Sequence, residues 1–212
     1  MNRKTHWPTP PGTPNLSKKF YIDASKKIVT EKPAAATLAI NVSSYVIRDI
    51  RNGILQTYPI VKIGTQYWMK EDLQAVYYND SRSMPLGKTL GGGESYFKWA
   101  DCDACFYNGE AVLTEKLAPL DWKLPSPNDW SRLKEYVGEN ASALKKADAW
   151  SSDVYSATNE TGFCIQPAGL LLERENKTAL VNANSSTAYW LYDGTQKQLD
   201  KVVMFANSNN DI

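Results

Sequence analysis

The chain has 212 residues, 42% hydrophobic and 22% charged, which is enough apolar material for a core and excludes a wholly disordered chain. Lys plus Arg number 24 and Asp plus Glu 23, a net charge of +1 without a basic stripe, which argues against a nucleic-acid partner. No run of about 18 apolar residues occurs, so no segment reads as a membrane-spanning helix.

Residues 1–16 read as a disordered tether, with basic residues and the stretch Thr-His-Trp-Pro-Thr-Pro-Pro-Gly-Thr-Pro-Asn but no apolar signal-type region. Such a tether suits the start of a mature lipoprotein whose export signal lies upstream of this chain. Residues 17–43 read as a β-rich lead-in, or the remnant of a preceding domain, with strand-like runs at Lys19–Asp23 and Thr37–Val42. They are too few for a complete sandwich, which takes about 100 residues.

The main domain is expected over residues 44–212. Asn52-Gly53 between two β-like runs signals a hairpin. Residues 79–95, polar with Gly91-Gly92-Gly93, read as a long surface loop. The plainest helix start is Ser126-Pro127-Asn128-Asp129: a capping serine, proline at the first helical position, and an acid at the capping-box position. Trp130, Leu133 and Val137 then share a helical face, and Gly138 ends it. A second short helix is expected over Asn140–Trp150, and strands at Phe163–Ile165, Ala188–Tyr192 and Val202–Phe205. Strands, two central helices, then strands describe an α+β domain.

Several runs together resemble the Fibrobacter succinogenes major paralogous domain family. Val61 to Leu73, containing Gly64, Gln66 and Trp68, is similar to its opening signature, and Tyr78-Asn79-Asp80 to the motif that follows. Lys123-Leu124-Pro125-Ser126-Pro127-Asn128-Asp129-Trp130 with Leu133 resembles the central motif. Leu144-Lys145 and Trp150 resemble the next helix. Gly162-Phe163 with Pro167-Ala168-Gly169, and then Tyr189-Trp190, resemble the later ones. The resemblance implies a surface-anchored module common in Bacteroidetes-type bacteria. It also implies a C-type-lectin-like α+β fold, a mixed sheet with two central helices and long loops preceded by the β-rich lead-in, and no transferable catalytic activity. The chain departs from the family pattern where it reads Ala118-Pro119-Leu120-Asp121-Trp122-Lys123, without the usual cysteine and histidine, and in lacking a closing arginine-cysteine-valine strand.

Cys102 and Cys105, in Asp101-Cys102-Asp103-Ala104-Cys105, admit a redox pair, half a zinc site or a small disulfide. Two flanking aspartates raise a thiol pKa and oppose the redox reading, and zinc wants four ligands while His6 is the sole histidine. A structural disulfide fits an exported protein, the alternative being a free buried Cys164 beside an exposed pair. Without a usable histidine, a Ser-His-Asp or Cys-His site has no base, so no enzyme is expected. No cofactor is expected either. Calcium would find hard oxygens in Asn207 to Asp211, but the run reads as a solvated turn.

Seven Trp and twelve Tyr against five Phe suit either a packed core or a wet binding surface. If Tyr189–Asp193 is a strand, one of its two faces is buried, and the family resemblance at Trp190 implies that this face is the core, leaving Tyr189 and Asp193, with Trp99 and Tyr107, as candidate ligand-binding residues. The expected role is recognition or adhesion at the cell surface, the partner being an extracellular glycan or a surface protein. Membrane contact is expected only through an N-terminal lipid anchor. The alternatives are a pilus-type assembly module accepting a partner's strand and, third, a hydrolase.

Overall fold

A computed structural model describes residues 22–23, 28–29, 40–41, 46–100, 102–151, 156–175, 177–195, 199 and 201–212. The expected tether, residues 1–16, lies outside them. Within the expected lead-in, β1 (Ile22–Asp23) pairs with β2 (Ile28–Val29), while β3 (Ile40–Asn41) pairs antiparallel with β4 (Val46–Arg51) of the main domain.

The hairpin signal at Asn52-Gly53 is met. Both residues adopt positive φ, 49° and 76°, and turn β4 into β5 (Ile54–Ile63). β5 is long enough to serve two partners: its first half pairs with β4 and its last residues with β6 (Gln66–Met69). Gly64 makes the second turn at φ 55°, and a Cβ there would sit 2.8 Å from the Tyr136 ring. β7 (Tyr96–Trp99) and β8 (Cys102–Tyr107) form a separate hairpin, which leads into α1 (Gly109–Leu113).

The helix α2 (Pro127–Val137) has the ends the sequence dictates. Asp129 N donates to Ser126 Oγ at 3.3 Å, Ser126 N donates to Asp129 Oδ2 at 2.9 Å, and Gly138 closes the helix at φ 64°. Its inner face, Trp130 and Leu133, enters the largest core cluster with Ile63, Trp68, Leu144, Trp150, Phe163, Ile165 and Phe205. Two smaller clusters form around Ile47, Tyr58 and Tyr67, and around Tyr78, Val112 and Leu117. The C-terminal part consists of two more hairpins: β9 (Leu170–Arg174) with β10 (Lys177–Val181), and β11 (Ser186–Trp190) with β12 (Val202–Ala206).

The expected C-type-lectin-like α+β fold is therefore not what the chain adopts. It is mostly β, 35% strand against 12% helix, with short strand pairs in small sheets, and α2 is the only helix of seven or more residues among those described. The expected second helix shrinks to one 3₁₀ turn, Ala141–Ala143. The cause is tertiary. Ile165 N donates to Leu144 O, and Lys146 N donates to Ile165 O, so residues 144–146 pair sideways instead of coiling.

The motif residues act as joints between these small sheets. Gln66, fully buried, donates from Nε2 to Asp129 O at 3.0 Å and ties β6 to α2. Pro125 O accepts from Tyr192 N, and Pro167 O from Asn184 N. Gly162 and Gly169 hold φ of 71° and 87°, and a Cβ on Gly169 would lie 2.8 Å from Val181 O. Phe163 packs on Trp68 with ring centroids 5.3 Å apart.

Candidate functional site: an aromatic cleft

A cleft of about 620 Å³ opens between these hairpins. The turn after β6 borders it with Asp72, the N-terminal end of α2 with Asp129 and Trp130, and β11 with Tyr189 and Trp190. Val202 and Met204 come from β12, and Tyr107 from β8. The walls are mostly apolar. A volume of this size falls in the range of roughly 300–1,000 Å³ typical of small-molecule sites.

The aromatic wall is continuous. Trp130 stacks on Tyr189 with centroids 5.9 Å apart and meets Trp68 at 5.0 Å and Phe205 at 5.8 Å. Such offset and tilted contacts suit ring quadrupoles. The polar atoms of this wall are less well provided for. Trp68 Nε1, Trp122 Nε1, Trp130 Nε1 and Asp129 Oδ1 have no hydrogen-bond partner among the described residues, and all four residues line the cleft. Buried indole N–H groups usually find an acceptor.

Two carboxylates border the cleft in opposite electrostatic settings. Burial pushes Asp129 up, but Lys123 at 2.8 Å and the Ser126 cap outweigh it, holding the carboxyl below its ordinary value. Asp72, half-buried against the cleft, shares a side-chain hydrogen bond with Tyr189. Burial pushes its carboxyl up to about 6, the Tyr189 bond pulling the other way. Burial beside Asp72 in turn holds the Tyr189 hydroxyl well above its ordinary value.

These observations place the ligand-binding residues expected from sequence. Tyr189 and Tyr107 do line the cleft, but their hydroxyls are engaged: Tyr189 with Asp72, Tyr107 donating to Leu73 O at 3.0 Å and Ala75 O at 2.9 Å. Trp99 sits half-buried at the end of β7, and Asp193 is exposed, its Oδ1 accepting from Thr195 N at 2.9 Å. Neither borders the cleft, so the four do not converge on one surface. Both faces of β11 are packed, since Tyr189 joins the main cluster and Trp190 the cluster around Tyr78, donating from Nε1 to Tyr107 O at 2.9 Å. The side chain of Cys102 lies outside the described residues, and with it the expected Cys102–Cys105 bridge. Cys105 is buried.

The sequence from Val61 in β5 to Asp211 matches one family, the Fibrobacter succinogenes major domain (Fib_succ_major). The chain belongs to this family. No curated protein and no solved structure matches it. Every cleft residue named above falls inside the Fib_succ_major stretch, whereas the β4 strand and the first half of β5 precede it.

Sequence reasoning does not single out Asp72, which stands beside a second acid, Glu71, in the turn after β6. The signal was its place one turn beyond the Tyr67-Trp68-Met69 strand. At Asn207–Asp211 two of the side-chain oxygens are used internally: Asn210 Oδ1 accepts from Ser142 N at 2.7 Å, and Asn209 Oδ1 from Asp211 N at 2.9 Å. Among the described residues no three His, Cys, Asp or Glu side chains cluster in a way that could hold a metal ion.

Proposed function

We propose that this Fib_succ_major domain is a non-catalytic recognition or adhesion module of a bacterial cell surface, and that its ligand enters the aromatic cleft. The observation that supports this is the 620 Å³ cleft and the continuous Trp68–Trp130–Tyr189 aromatic wall beside it. The proposal includes export by an upstream signal, anchoring near residues 1–16, and a partner that is an extracellular glycan or a surface protein.

The test is titration of the purified chain against arrayed glycans and surface-protein peptides, beside the variant Ala188→Trp. Ala188 lies on β11 opposite Met204 and lines the cleft, so an indole there fills it. Saturable binding lost in Ala188→Trp is expected. Binding indifferent to that change refutes the cleft as the site. Turnover of chromogenic glycosides that depends on Asp72 would refute the non-catalytic part.

One observation favours strand acceptance as a second reading. Asn207 N donates to Ser185 O and Leu191 N to Lys201 O, and this alternation turns the backbone groups of Val202 and Met204 away from β11. β12 is the edge of a two-stranded sheet among the described residues, and both side chains are exposed. An incoming strand could pair there. Met204→Pro removes one outward N–H without touching the β11 ladder. Oligomers seen by light scattering that dissolve in this variant would favour assembly over ligand recognition.

A further inference from the structure

Two carboxylates are almost wholly buried, and each has its cation: Asp49 with Arg51 at 2.8 Å, and Asp129 with Lys123 at 2.8 Å. Asp72, half-buried at the cleft, has none. Its surroundings supply one hydrogen bond, from Tyr189, and no Lys or Arg among the described residues forms an ion pair with it. A carboxylate partly withdrawn from water without a counter-ion is unfavourable, and the cost falls if a cation arrives from outside. The aromatic wall beside it suits the same visitor. Tyr189 touches Asp72 directly and stacks on Trp130, which in turn meets Trp68. Ring faces attract an ammonium group, and more strongly where water is thin.

We propose that the cleft binds a primary ammonium group carried on an apolar stem, with Asp72 as its counter-ion and the Tyr189–Trp130 wall beside it. This rests on the cleft being the recognition site. A lysine side chain presented by a surface protein has this chemistry, and so does a free alkylamine. The other titratable groups around the cleft leave Asp72 this role. Tyr189 from β11 and Tyr107 from β8 are neutral, Lys123 from the segment before α2 is held by Asp129, and Lys70 and the exposed Glu71 precede Asp72 on its own turn.

The experiment measures binding of hexylamine, 1-hexanol and hexanoate to the whole chain by calorimetry and tryptophan fluorescence, at about pH 7.5 and pH 5. Hexylamine should bind at least about tenfold more tightly than hexanol at the higher pH, with hexanoate weakest. Asp72→Asn should erase the preference for the amine while leaving hexanol binding within about twofold. Lowering the pH should shrink the preference as Asp72 takes up a proton. Tyr189→Phe keeps a ring in the wall but removes the bond that pulls Asp72 down, so the preference should persist and fade at a higher pH than in the wild type. N-acetyl-lysine amide against N-acetyl-norleucine amide then separates the sources: a lysine preference points to a protein partner, its absence to a free amine. Equal binding of amine and alcohol, or a preference that survives Asp72→Asn, overturns this proposal and leaves the cleft reading standing. If none of the probes binds and Ala188→Trp alters no other interaction of the chain, both fall.

Discussion

Replacing Arg51 with Met tests how the β4–β5 hairpin is held to the rest of the domain. Arg51 donates from Nε to Asp49 Oδ2 at 2.8 Å, from Nη1 to Tyr77 O at 2.8 Å and from Nη2 to Leu117 O at 2.9 Å. The two side chains are 3% and 4% exposed, and they stand two apart on β4, hence on one face. Met fills much of the same volume but leaves a carboxylate and two carbonyls without their donor. Removing one partner of a buried pair costs about 3–5 kcal/mol. With a urea slope of about 2 kcal/mol/M, the unfolding midpoint should fall by about 2 M. The loss also has a pH signature. Asp49 already titrates above its ordinary value, because burial outweighs the pull of Arg51, and without Arg51 it moves further up. A carboxyl raised on folding contributes stability below its unfolded pKa and loses it as pH rises through the folded one. The deficit of Arg51→Met should therefore be largest near pH 7 and smaller near pH 5. Adding Asp49→Asn removes the stranded charge and should recover about 1 kcal/mol or more at pH 7. A midpoint shift below about 0.5 M, or equal deficits at both pH values, would refute the assigned role.

Three further changes read other parts of the molecule. Gly169→Ala should cost more than Gly64→Ala, because the new Cβ meets the fixed Val181 carbonyl in the first and only the movable, exposed Tyr136 ring in the second. Thermal unfolding should show about 1 kcal/mol for Gly64 and at least twice that for Gly169, and the reverse order would sink the argument. Lys145, fully buried, donates from Nζ to Ala206 O at 2.7 Å and Asn209 O at 2.9 Å; Lys145→Met should cost about 3 kcal/mol and open the C-terminal residues to proteolysis. Asp72 rises from 3.8 to about 6 on folding, so its contribution is present below the unfolded value and is lost as pH climbs through about 6. Asp72→Asn, which cannot titrate there, should gain up to about 3 kcal/mol relative to wild type between pH 4 and pH 7 in urea unfolding, and a constant difference would contradict the placement of Asp72.

What could be read from the sequence was what is decided locally. The ends of α2 follow from Ser126, Pro127, Asp129 and Gly138, each acting on its own backbone neighbours. The Asn52-Gly53 turn is likewise a property of two residues. Where distant partners decide, local preference misleads. Leu170 to Arg174 is built of good helix formers, yet it runs as β9 because β10 pairs with it residue for residue. Leu144 to Ala147, also made of good helix formers, is pulled into a bridge with Ile165. The short helix α1 did carry a readable cue, Asn108, whose Oδ1 accepts from Ala111 N at 3.1 Å, but five residues leave little periodicity to find.

The cleft could not be read for a related reason. Its decisive residues, Asp72, Trp130 and Tyr189, are separated by more than fifty positions each and meet only once β6, α2 and β11 are in place. The sequence does say which aromatics are large enough to form a core, and Trp68, Trp130 and Phe163 do form one. It does not say that several small hairpins, each covering only one side of that core, leave a gap between them. Nor does it distinguish Glu71 from Asp72. The pairing of β5 with β6 fixes where the chain leaves the sheet, and from that point both acids border the cleft, Glu71 exposed and Asp72 half-buried. Two adjacent acids thus differ in exposure, and the one placed against Tyr189 is the group on which ligand preference is expected to turn.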